Sequence, residues 1–350
     1  MRIAFYISGH GFGHASRAIE LILALMARRP AMRIAVRTSV PERLFSPLEG
    51  IGTVSLERVE ADSGIAQIDS LGIDEEETAR QAARFYAGFE GRVADETGYL
   101  KRFEADLVVG DIPPLAFAAA AQAGVPSVAV GNFTWDWIYG IYPAFDRLAP
   151  QALPAIRAAY AQATYALRLP LHGGFEPMLA VTRDVPYIAR RSSRNRADTR
   201  HALGLGTDRP VVLPSFSAHG ADLPLDRLAH NERFALIDPR RDPPPGFLYQ
   251  DVVAAADVVV SKPGYGIVSE CLANRTALLY TSRGRWVEYD VFVEEMPRVL
   301  RCRYIPQEDL LAGRWAEAID ALLVQPAPPQ HPRVDGADVA ADAIINLVIG

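Results

Sequence analysis

Apolar residues along this 350-residue chain alternate between short continuous runs and runs with three- and four-residue spacing. Residues 2–8 form a short β-rich run, and a glycine-rich loop follows it at once. From Ala15 onward the apolar positions fall three and four residues apart, which predicts an amphipathic helix. Residues 32–38 are the next β-rich run. The order of strand, glycine turn, helix and strand predicts a βαβ unit and hence a parallel sheet.

The first half of the chain continues in the same way. Its next elements are a buried strand over 105–110 that ends at Asp111, a small-residue helix over 115–123 and a strand over 127–133. Residues 68–104 carry more charge and are interpreted as helical. The acidic run at 74–77 is typical of a solvated helix N-terminus, because carboxylates are stabilised at that end of the helix dipole. Recognition of a cationic ligand is the alternative.

A second α/β series follows a change of composition. Residues 183–209 are rich in arginine, polar residues and glycine, and are interpreted as a linker between domains. Arginines that face an anionic ligand are the alternative. The elements predicted beyond it are strands at 210–213, 256–261 and 276–282, with a glycine turn and a helix from Ile267 between the last two.

The fold class predicted from this order is α/β, with two Rossmann-like domains. A chain of 350 residues is longer than one ordinary domain, which agrees with two. The first domain is expected to span 1–170 and the second 171–334. Residues 335–350 contain a further apolar-faced helix after a proline-rich stretch, and this helix is expected to pack back on the first domain.

The amino-acid composition and the net charge exclude several classes of protein. Apolar residues make up 49% and charged residues 22%, which is the balance of a soluble globular protein. The net charge of −6 argues against a nucleic-acid partner, so small-molecule partners are expected. Cys271 and Cys302 lack the spacing of a metal site or a disulfide framework. No signal peptide and no apolar run long enough to span a membrane is recognisable, so a cytoplasmic location is expected.

Two glycine turns, each between a strand and a helix, carry the candidate chemistry. The first contains Gly9, His10, Gly11, Gly13 and His14. A helix N-terminus offers free N–H groups and the positive end of the helix dipole, which suits phosphates without a metal. The glycine spacing differs from the dinucleotide fingerprint, and no Asp-any-Asp motif is present. We therefore expect neither a cofactor nor a metal.

The second turn is the candidate site for a nucleoside diphosphate. Its residues are Lys262, Gly264, Tyr265, Gly266, Ile267 and Glu270. The glycines permit close backbone approach to a ligand, and the helix start can hold a diphosphate. Glu270, in the first turns of the helix, could accept hydrogen bonds from two ribose hydroxyls. A strand-to-helix turn with a capping carboxylate is the alternative.

These residues carry a resemblance to known enzymes. The segment SKPGYGIVSECLANRTALLY resembles the donor-binding segment of MurG-like glycosyltransferases of the GT-B fold. The segments ISGHGFGHASR, VVGDIPPLAFAAAAQAGVPSVAVGNFTWDWIY and DVVVSKPGYGIVSE resemble the N-terminal, glycosyltransferase-like region of plant L-arabinokinases. The resemblance covers most of the chain and implies two domains that face each other across a cleft. The kinase part of those proteins has no counterpart here, so kinase activity is not expected.

The resemblance implies a catalytic role for the first turn. Inverting members often carry a histidine at the end of this loop as general base, and the match falls on His14. A mostly neutral imidazole can accept the proton of an acceptor hydroxyl. Asp111 resembles in position the aspartate that orients this histidine. The alternatives are that His10 serves instead, or that His14 and Asp111 only cap helices. Arg17 could reach an anion or could have a packing role.

The resemblance also implies roles on the donor side. Glu270 corresponds to a glutamate that holds the ribose. Ser215 and Ser217 stand where MurG-like enzymes usually have paired glycines, and their hydroxyls could contact the diphosphate instead. Glu288 is the best candidate for binding the donor sugar. Trp135 could stack on a sugar or an acceptor, and a place in the core is the alternative.

The function expected from these residues is a metal-independent, inverting glycosyltransferase. It would move a sugar from a nucleotide-diphosphate sugar, with a UDP-sugar favoured, to a hydroxyl of a small molecule or glycan. Two alternatives remain open. One is a sugar-nucleotide epimerase or hydrolase of the same fold. The other is a non-catalytic, nucleotide-sugar-binding regulatory module.

Overall fold

The computed structural model describes residues 1–206, 208–216 and 220–349. Contacts divide the chain into two units. The first comprises Met1–Gln67, Ile73–Ile188 and Asp335–Gly350, and the second comprises Ile68–Gly72 and Ala189–Val334. The first unit therefore extends beyond the expected boundary at residue 170. The reason is a short strand, Thr182–Asp184, that pairs in parallel with Tyr165–Arg168 and continues the first sheet.

The first unit is built on a parallel sheet. Its strands are β1 (Arg2–Ile7), β2 (Arg33–Thr38), β3 (Val54–Arg58), β4 (Leu107–Asp111), β5 (Ser127–Gly131), β6 (Tyr165–Arg168) and β7 (Thr182–Asp184). They lie in the order β3-β2-β1-β4-β5-β6-β7, with β1 and β4 adjacent at the centre. Because β1 and β4 pair in register, Ile7 lies opposite Asp111. The end of β1, which leads into the turn before His14, therefore lies beside the end of β4, which carries Asp111.

Helices cover this sheet. They are α1 (Phe12–Arg28), α2 (Glu75–Ala87), α3 (Phe89–Phe103), α4 (Pro114–Ala123), α5 (Trp135–Tyr139), α6 (Ala144–Leu148) and α7 (Ala152–Tyr160), with 3-10 helices at Glu42–Leu48 and Glu176–Val181. The interpretation of the acidic run as a helix N-terminus is confirmed, because the Asp74 side chain accepts a hydrogen bond from the Glu77 amide at the start of α2. The core between β1, β4, α3 and α4 contains Tyr6, Leu100 and Val108.

The second unit contains a second parallel sheet. Its strands are β8 (Val211–Ser215), β9 (Ala235–Leu236), β10 (Val258–Ser261), β11 (Ala277–Tyr280) and β12 (Cys302–Tyr304), in the order β12-β11-β10-β8-β9. Its helices are α8 (Arg196–Ala202), α9 (Leu225–Ala229), α10 (Tyr249–Ala255), α11 (Tyr265–Asn274), α12 (Val287–Val299), α13 (Gln307–Leu311) and α14 (Ala316–Leu323). Trp315 is fully buried in its core and stacks on Phe234.

The arginine-rich stretch at 183–209 is not a linker. Residues 183–188 belong to the first unit, with 183 and 184 in β7, and the residues from Ala189 onward belong to the second unit. Arg196 and Arg200 both pair with Asp257 at the start of β10, at 3.1 and 2.7 Å. The arginine-rich, polar composition suggested a solvated linker, whereas these two arginines pair with an aspartate of their own unit.

The last helix, α15 (Gly336–Ile349), belongs to the first unit, as expected. It packs against α1, and its buried face includes Ala341 and Ile344. Arg28 of α1 pairs with Asp338 and Asp342 at 2.9 and 2.5 Å. Of the helices in the described ranges, none combines the length and the apolar composition that a membrane span requires.

We expect Gly336→Ala to destabilise the protein. A Cβ at this position would overlap the carbonyl oxygen of Pro186, which is backbone and cannot rotate away. The strain should lower the free energy of unfolding by about 1–3 kcal/mol, measured by urea denaturation. Gly52→Ala is the matched control, because a Cβ at Gly52 would meet no atom within 4 Å. Equal urea midpoints for Gly336→Ala and the wild type would contradict the role assigned to Gly336.

Candidate active site

The first glycine turn places the start of α1 directly after β1. A Cβ at Gly9 would overlap the Ser39 hydroxyl, so any larger residue at this position would force Ser39 into another rotamer. Gly11 has φ +76° and is the N-cap of α1, a backbone conformation that glycine adopts without strain. As a result α1 begins at Phe12, earlier than the predicted start at Ala15. Gly13 and His14 lie in its first turn.

His14, Arg17 and Asp111 form one buried cluster. His14 and Arg17 are three residues apart on α1 and so share a face of the helix. His14 Nδ1 lies 2.8 Å from Asp111 Oδ1. Arg17 donates from Nε to Asp111 Oδ2 at 2.6 Å and from Nη2 to Oδ1 at 2.5 Å. The structure thus brings together the histidine and the aspartate that the sequence proposed as partners, and it adds Arg17 to them.

The capping alternatives are excluded. The N-cap of α1 is Gly11, and no side chain caps that helix. The N-cap of α4 is Pro113, again without a side-chain hydrogen bond, so Asp111 does not cap this helix. The Asp111 side chain is 1% exposed and instead bonds to Arg17 and His14.

Asp111 is held as an anion. Burial raises its pKa, but the charge and hydrogen bonds of Arg17, together with those of His14, outweigh burial and lower the pKa below its ordinary value. Two groups face Nδ1 of His14: the Asp111 carboxylate at 2.8 Å, which can only accept, and Arg17 Nη2 at 3.0 Å, which can only donate. The shorter contact, with Asp111, favours a neutral His14 that carries its proton on Nδ1. The other ring nitrogen, Nε2, then keeps its lone pair. This is the tautomer in which an imidazole can act as a base.

Arg17 ties three elements of the first unit together. Besides its bonds to Asp111, its Nη1 donates to Asn132 Oδ1 at 2.7 Å. Asn132 follows β5, and its amide in turn donates to the Leu171 carbonyl at 3.3 Å. Arg17 is buried and its guanidinium bonds to Asp111 and Asn132 of its own unit, which is the packing role that was the alternative to contact with an anionic ligand.

A second buried carboxylate, Asp62, lies close to this cluster. Its Oδ2 accepts a hydrogen bond from Trp135 Nε1 at 3.0 Å. Burial raises the pKa of Asp62, although hydrogen bonds from Ser8 and Trp135 and the charge of His14 oppose the shift. Sequence reasoning missed Asp62, because it stands alone in an irregular loop after β3. The only signal was a single acidic residue among small neighbours in Ala61-Asp62-Ser63-Gly64.

Aromatic rings surround His10 and His14. The His14 ring meets Phe133 edge-on at 5.4 Å, and the His10 ring meets Trp135 edge-on at 5.6 Å. Trp135 is 0% exposed and stacks on Tyr139. The structure therefore gives Trp135 the place in the core that was the alternative to stacking on a sugar. His10 is half-buried, and the Ile65 amide donates to its Nδ1 at 3.3 Å.

The second glycine turn begins α11 at Tyr265, two positions before the predicted start at Ile267. Gly264 is its N-cap, and a Cβ there would meet no atom within 4 Å. Tyr265, Gly266 and Ile267 form the first turn, whose N–H groups have no partner within the helix. The open space at Gly264 gives a ligand access to this end of α11.

Glu270 lies on α11, but it already has a partner. Arg190 donates to its Oε1 from Nε at 2.7 Å and contacts the same oxygen through Nη2 at 2.5 Å. Burial raises the pKa of Glu270 despite Arg190. No side chain caps α11, so the capping alternative is excluded. The sequence did not predict Arg190, which belongs to the stretch interpreted as a linker.

Lys262, between β10 and α11, is a half-buried cation. Its Nζ donates to the Ser70 carbonyl at 2.5 Å. Burial, helped by the charge of Arg283 and opposed by Asp69, lowers the pKa of Lys262 to about 7. The amine is therefore close to half-protonated at neutral pH, and a nearby anion would favour its charged form.

The remaining donor-side candidates are engaged in hydrogen bonds. Ser215 ends β8, and its hydroxyl lies 2.5 Å from that of Tyr249. Glu288 lies in the first turn of α12, is buried, and accepts a hydrogen bond from Trp286 Nε1 at 2.7 Å. Ser217 lies outside the described residues. Among the residues that are described, no group of three or more His, Cys, Asp or Glu side chains is arranged to hold a metal ion.

No family model matches the chain. The L-arabinokinase of Arabidopsis thaliana is 28% identical to it over 363 residues, which cover 99% of this chain and 34% of that protein. The chain thus spans about a third of the length of this curated relative. The match confirms the resemblance to L-arabinokinases that the sequence motifs indicated.

Solved structures agree on the fold. The glycosyltransferase of kitacinnamycin superimposes with a TM-score of 0.62 at 18% identity, covering 99% of this chain and 98% of the other. A UDP-glucosyltransferase from Polygonum tinctorium gives a TM-score of 0.60 at 14% identity, with 99% and 94% covered. At such identities the likeness establishes the fold. The chain has the α/β fold of GT-B glycosyltransferases, with two parallel sheets.

We expect Arg17→Met to destabilise the protein strongly at neutral pH. The substitution leaves the Asp111 carboxylate buried without its cation, which should cost about 3–5 kcal/mol in unfolding experiments. Without Arg17, the buried Asp111 is more stable protonated. In the wild type the lowered pKa adds stability that is lost only as the pH falls below about 4. The gap between variant and wild type should therefore narrow in acid.

Arg33→Gln is the control for this measurement, because Arg33 is exposed at the start of β2. It should change the free energy of unfolding by no more than about 0.5 kcal/mol. An Arg17→Met variant as stable as Arg33→Gln at pH 7 would show that the cluster does not need its arginine.

Proposed function

We propose that the protein is a glycosyltransferase that moves a sugar from a nucleotide-diphosphate sugar to a hydroxyl acceptor. The observation that carries this proposal is the buried pair of His14 and Asp111 at the carboxyl edge of the first sheet. The fold shared with solved glycosyltransferases supports it. A histidine held in one tautomer by an ionised carboxylate is equipped to remove a proton from a hydroxyl.

The proposed reaction is a single displacement. His14 Nε2 takes the proton of the acceptor hydroxyl as its oxygen attacks the anomeric carbon. The bond from this carbon to the diphosphate oxygen breaks, and the nucleoside diphosphate leaves with the electron pair. Asp111 stabilises the imidazolium that forms, and Arg17 keeps Asp111 ionised. Attack on the face opposite the leaving group inverts the anomeric configuration.

The second unit supplies the proposed donor site. The N–H groups of Gly266 and Ile267 in the first turn of α11, together with the amine of Lys262, are suited to a diphosphate and to the charge that develops on it. Since Arg190 contacts Oε1 of Glu270, the other oxygen is proposed to accept from the ribose. We favour a uridine nucleotide, in line with the resemblance and with the similarity to a UDP-glucosyltransferase. The transfer is proposed to need no metal.

We expect His14→Ala to lower turnover by about 100- to 10,000-fold, the usual contribution of a general base. The assay measures UDP release from UDP-glucose, UDP-galactose and UDP-xylose, with EDTA present, over a panel of monosaccharides and small alcohols. Mass spectrometry identifies the glycosylated product. UDP binding by calorimetry should be unchanged in the variant, because His14 belongs to the first unit and not to the donor site.

His201→Ala is the control, because His201 is exposed at the end of α8, outside both candidate sites. Full turnover in His14→Ala would exclude the proposed base. UDP release that needs no acceptor would indicate the hydrolase or epimerase instead. Nucleotide binding without turnover under any condition would indicate the regulatory module.

We expect UDP affinity to fall as the pH rises from 7 to 9. Because the pKa of Lys262 is lowered to about 7, its ammonium loses the proton over this range unless a diphosphate is bound. The phosphate groups themselves are already ionised above about pH 6. Calorimetry should show a decline of up to about tenfold per pH unit, and Lys262→Met should bind weakly with little pH dependence. A wild-type affinity that stays constant between pH 7 and 9 would remove Lys262 from the diphosphate site.

A further inference from the structure

A second candidate binding site lies at the amino ends of the strands of the second sheet, whereas the glycine turn follows their carboxyl ends. A cavity of about 670 Å³ opens there, which is within the size range of small-molecule sites. Its lining includes Asp257, just before β10, and Arg301, just before β12. Lys262 and Gly264 follow the other end of β10, which is four residues long. The two locations are therefore separated by a strand length, on the order of 15 Å.

The lining of this cavity carries an excess of basic residues. The basic residues that line it are Arg191, Arg196, Arg275, Arg301 and His331. Asp257 is the acidic residue in the lining, and it is already neutralised by Arg196 and Arg200. Within the described ranges, Arg191, Arg275 and Arg301 have no carboxylate partner. Most other arginines of the second unit described so far are paired, and the chain as a whole carries a net charge of −6.

Arg275 occupies its place at a conformational cost. It is the C-cap residue that follows α11, with φ +56° and ψ +37°, in the left-handed region. This position at the end of a helix is usually glycine, because a side chain is strained there. Arg275 therefore brings a guanidinium to the cavity at a position where glycine would relieve the strain. Strain of this kind is often retained at binding sites.

Apolar side chains, among them Leu272, Val299 and Leu300, also line the cavity, and this apolar part of the lining is called its floor below. Guanidinium groups bind phosphate oxygens through paired hydrogen bonds, so the three unpaired arginines suit a phosphoryl group. The apolar floor suits the organic part of the same molecule. We propose that this cavity binds a small organic phosphate, with the phosphoryl group at the arginines and its apolar body on the floor. The site shares no residue with the proposed donor site and stands independently of the transferase chemistry.

Calorimetry with phenyl phosphate, inorganic phosphate and phenol tests this site. The wild type should bind phenyl phosphate more tightly than inorganic phosphate, and should not bind phenol. The double variant Arg275→Gln, Arg301→Gln should lose at least about tenfold in affinity for phenyl phosphate. Its urea midpoint and its UDP affinity should match the wild type, which shows that the fold and the donor site are intact.

Arg303→Gln is the matched control, because Arg303 is an exposed arginine two residues beyond Arg301 on β12 and does not line the cavity. It should bind phenyl phosphate like the wild type. The proposal is overturned if phenyl phosphate binds more weakly than about 1 mM, or equally well to the double variant. Binding of anionic lipid vesicles through the same arginines, without binding of the soluble phosphates, would also overturn it.

Discussion

The first unit depends on one buried ion pair, between Asp111 at the end of β4 and Arg17 on α1. A carboxylate that is 1% exposed is tolerated only where cations and hydrogen bonds replace its water. Arg17 supplies both, and in doing so it fixes the rotation of α1 against the sheet. His14, one turn earlier on the same face, is thereby placed against Asp111. The tight glycine turn is what lets α1 begin early enough for this contact.

The second unit contains a similar pair, but with a different balance of charges. Glu270 and Asp111 are both buried carboxylates held by one arginine. Asp111 receives Arg17 on both oxygens and His14 as well, and its pKa is lowered. Glu270 is held by Arg190 on one oxygen, and its pKa is raised. Asp111 therefore stays ionised as part of the folded structure. The ionised form of Glu270, by contrast, is stabilised further by any hydrogen-bond donor that reaches it.

The sequence predicted features that depend on strand ends and helix periodicity. The pairing of His14 with Asp111 was expected from the resemblance to glycosyltransferases, and the structure accounts for it by placing β1 beside β4. Helix starts were placed too late, because glycines at Gly13 and Gly266 lie inside helices. Strand β7 has no apolar run, so the domain boundary fell too early. Asp62 and Arg190 were missed because their partners, Trp135 and Glu270, are distant in sequence and no local pattern links them.

The place of α15 has a consequence for synthesis on the ribosome. The first unit is interrupted in the chain, since its last helix follows the whole of residues 189–334. Domains generally fold as units while the chain emerges. The second unit can therefore be complete before the first receives its final helix. Until then the face of α1 that α15 covers stays open to solvent. A nascent chain of this protein thus exposes apolar surface for longer than its number of domains would suggest.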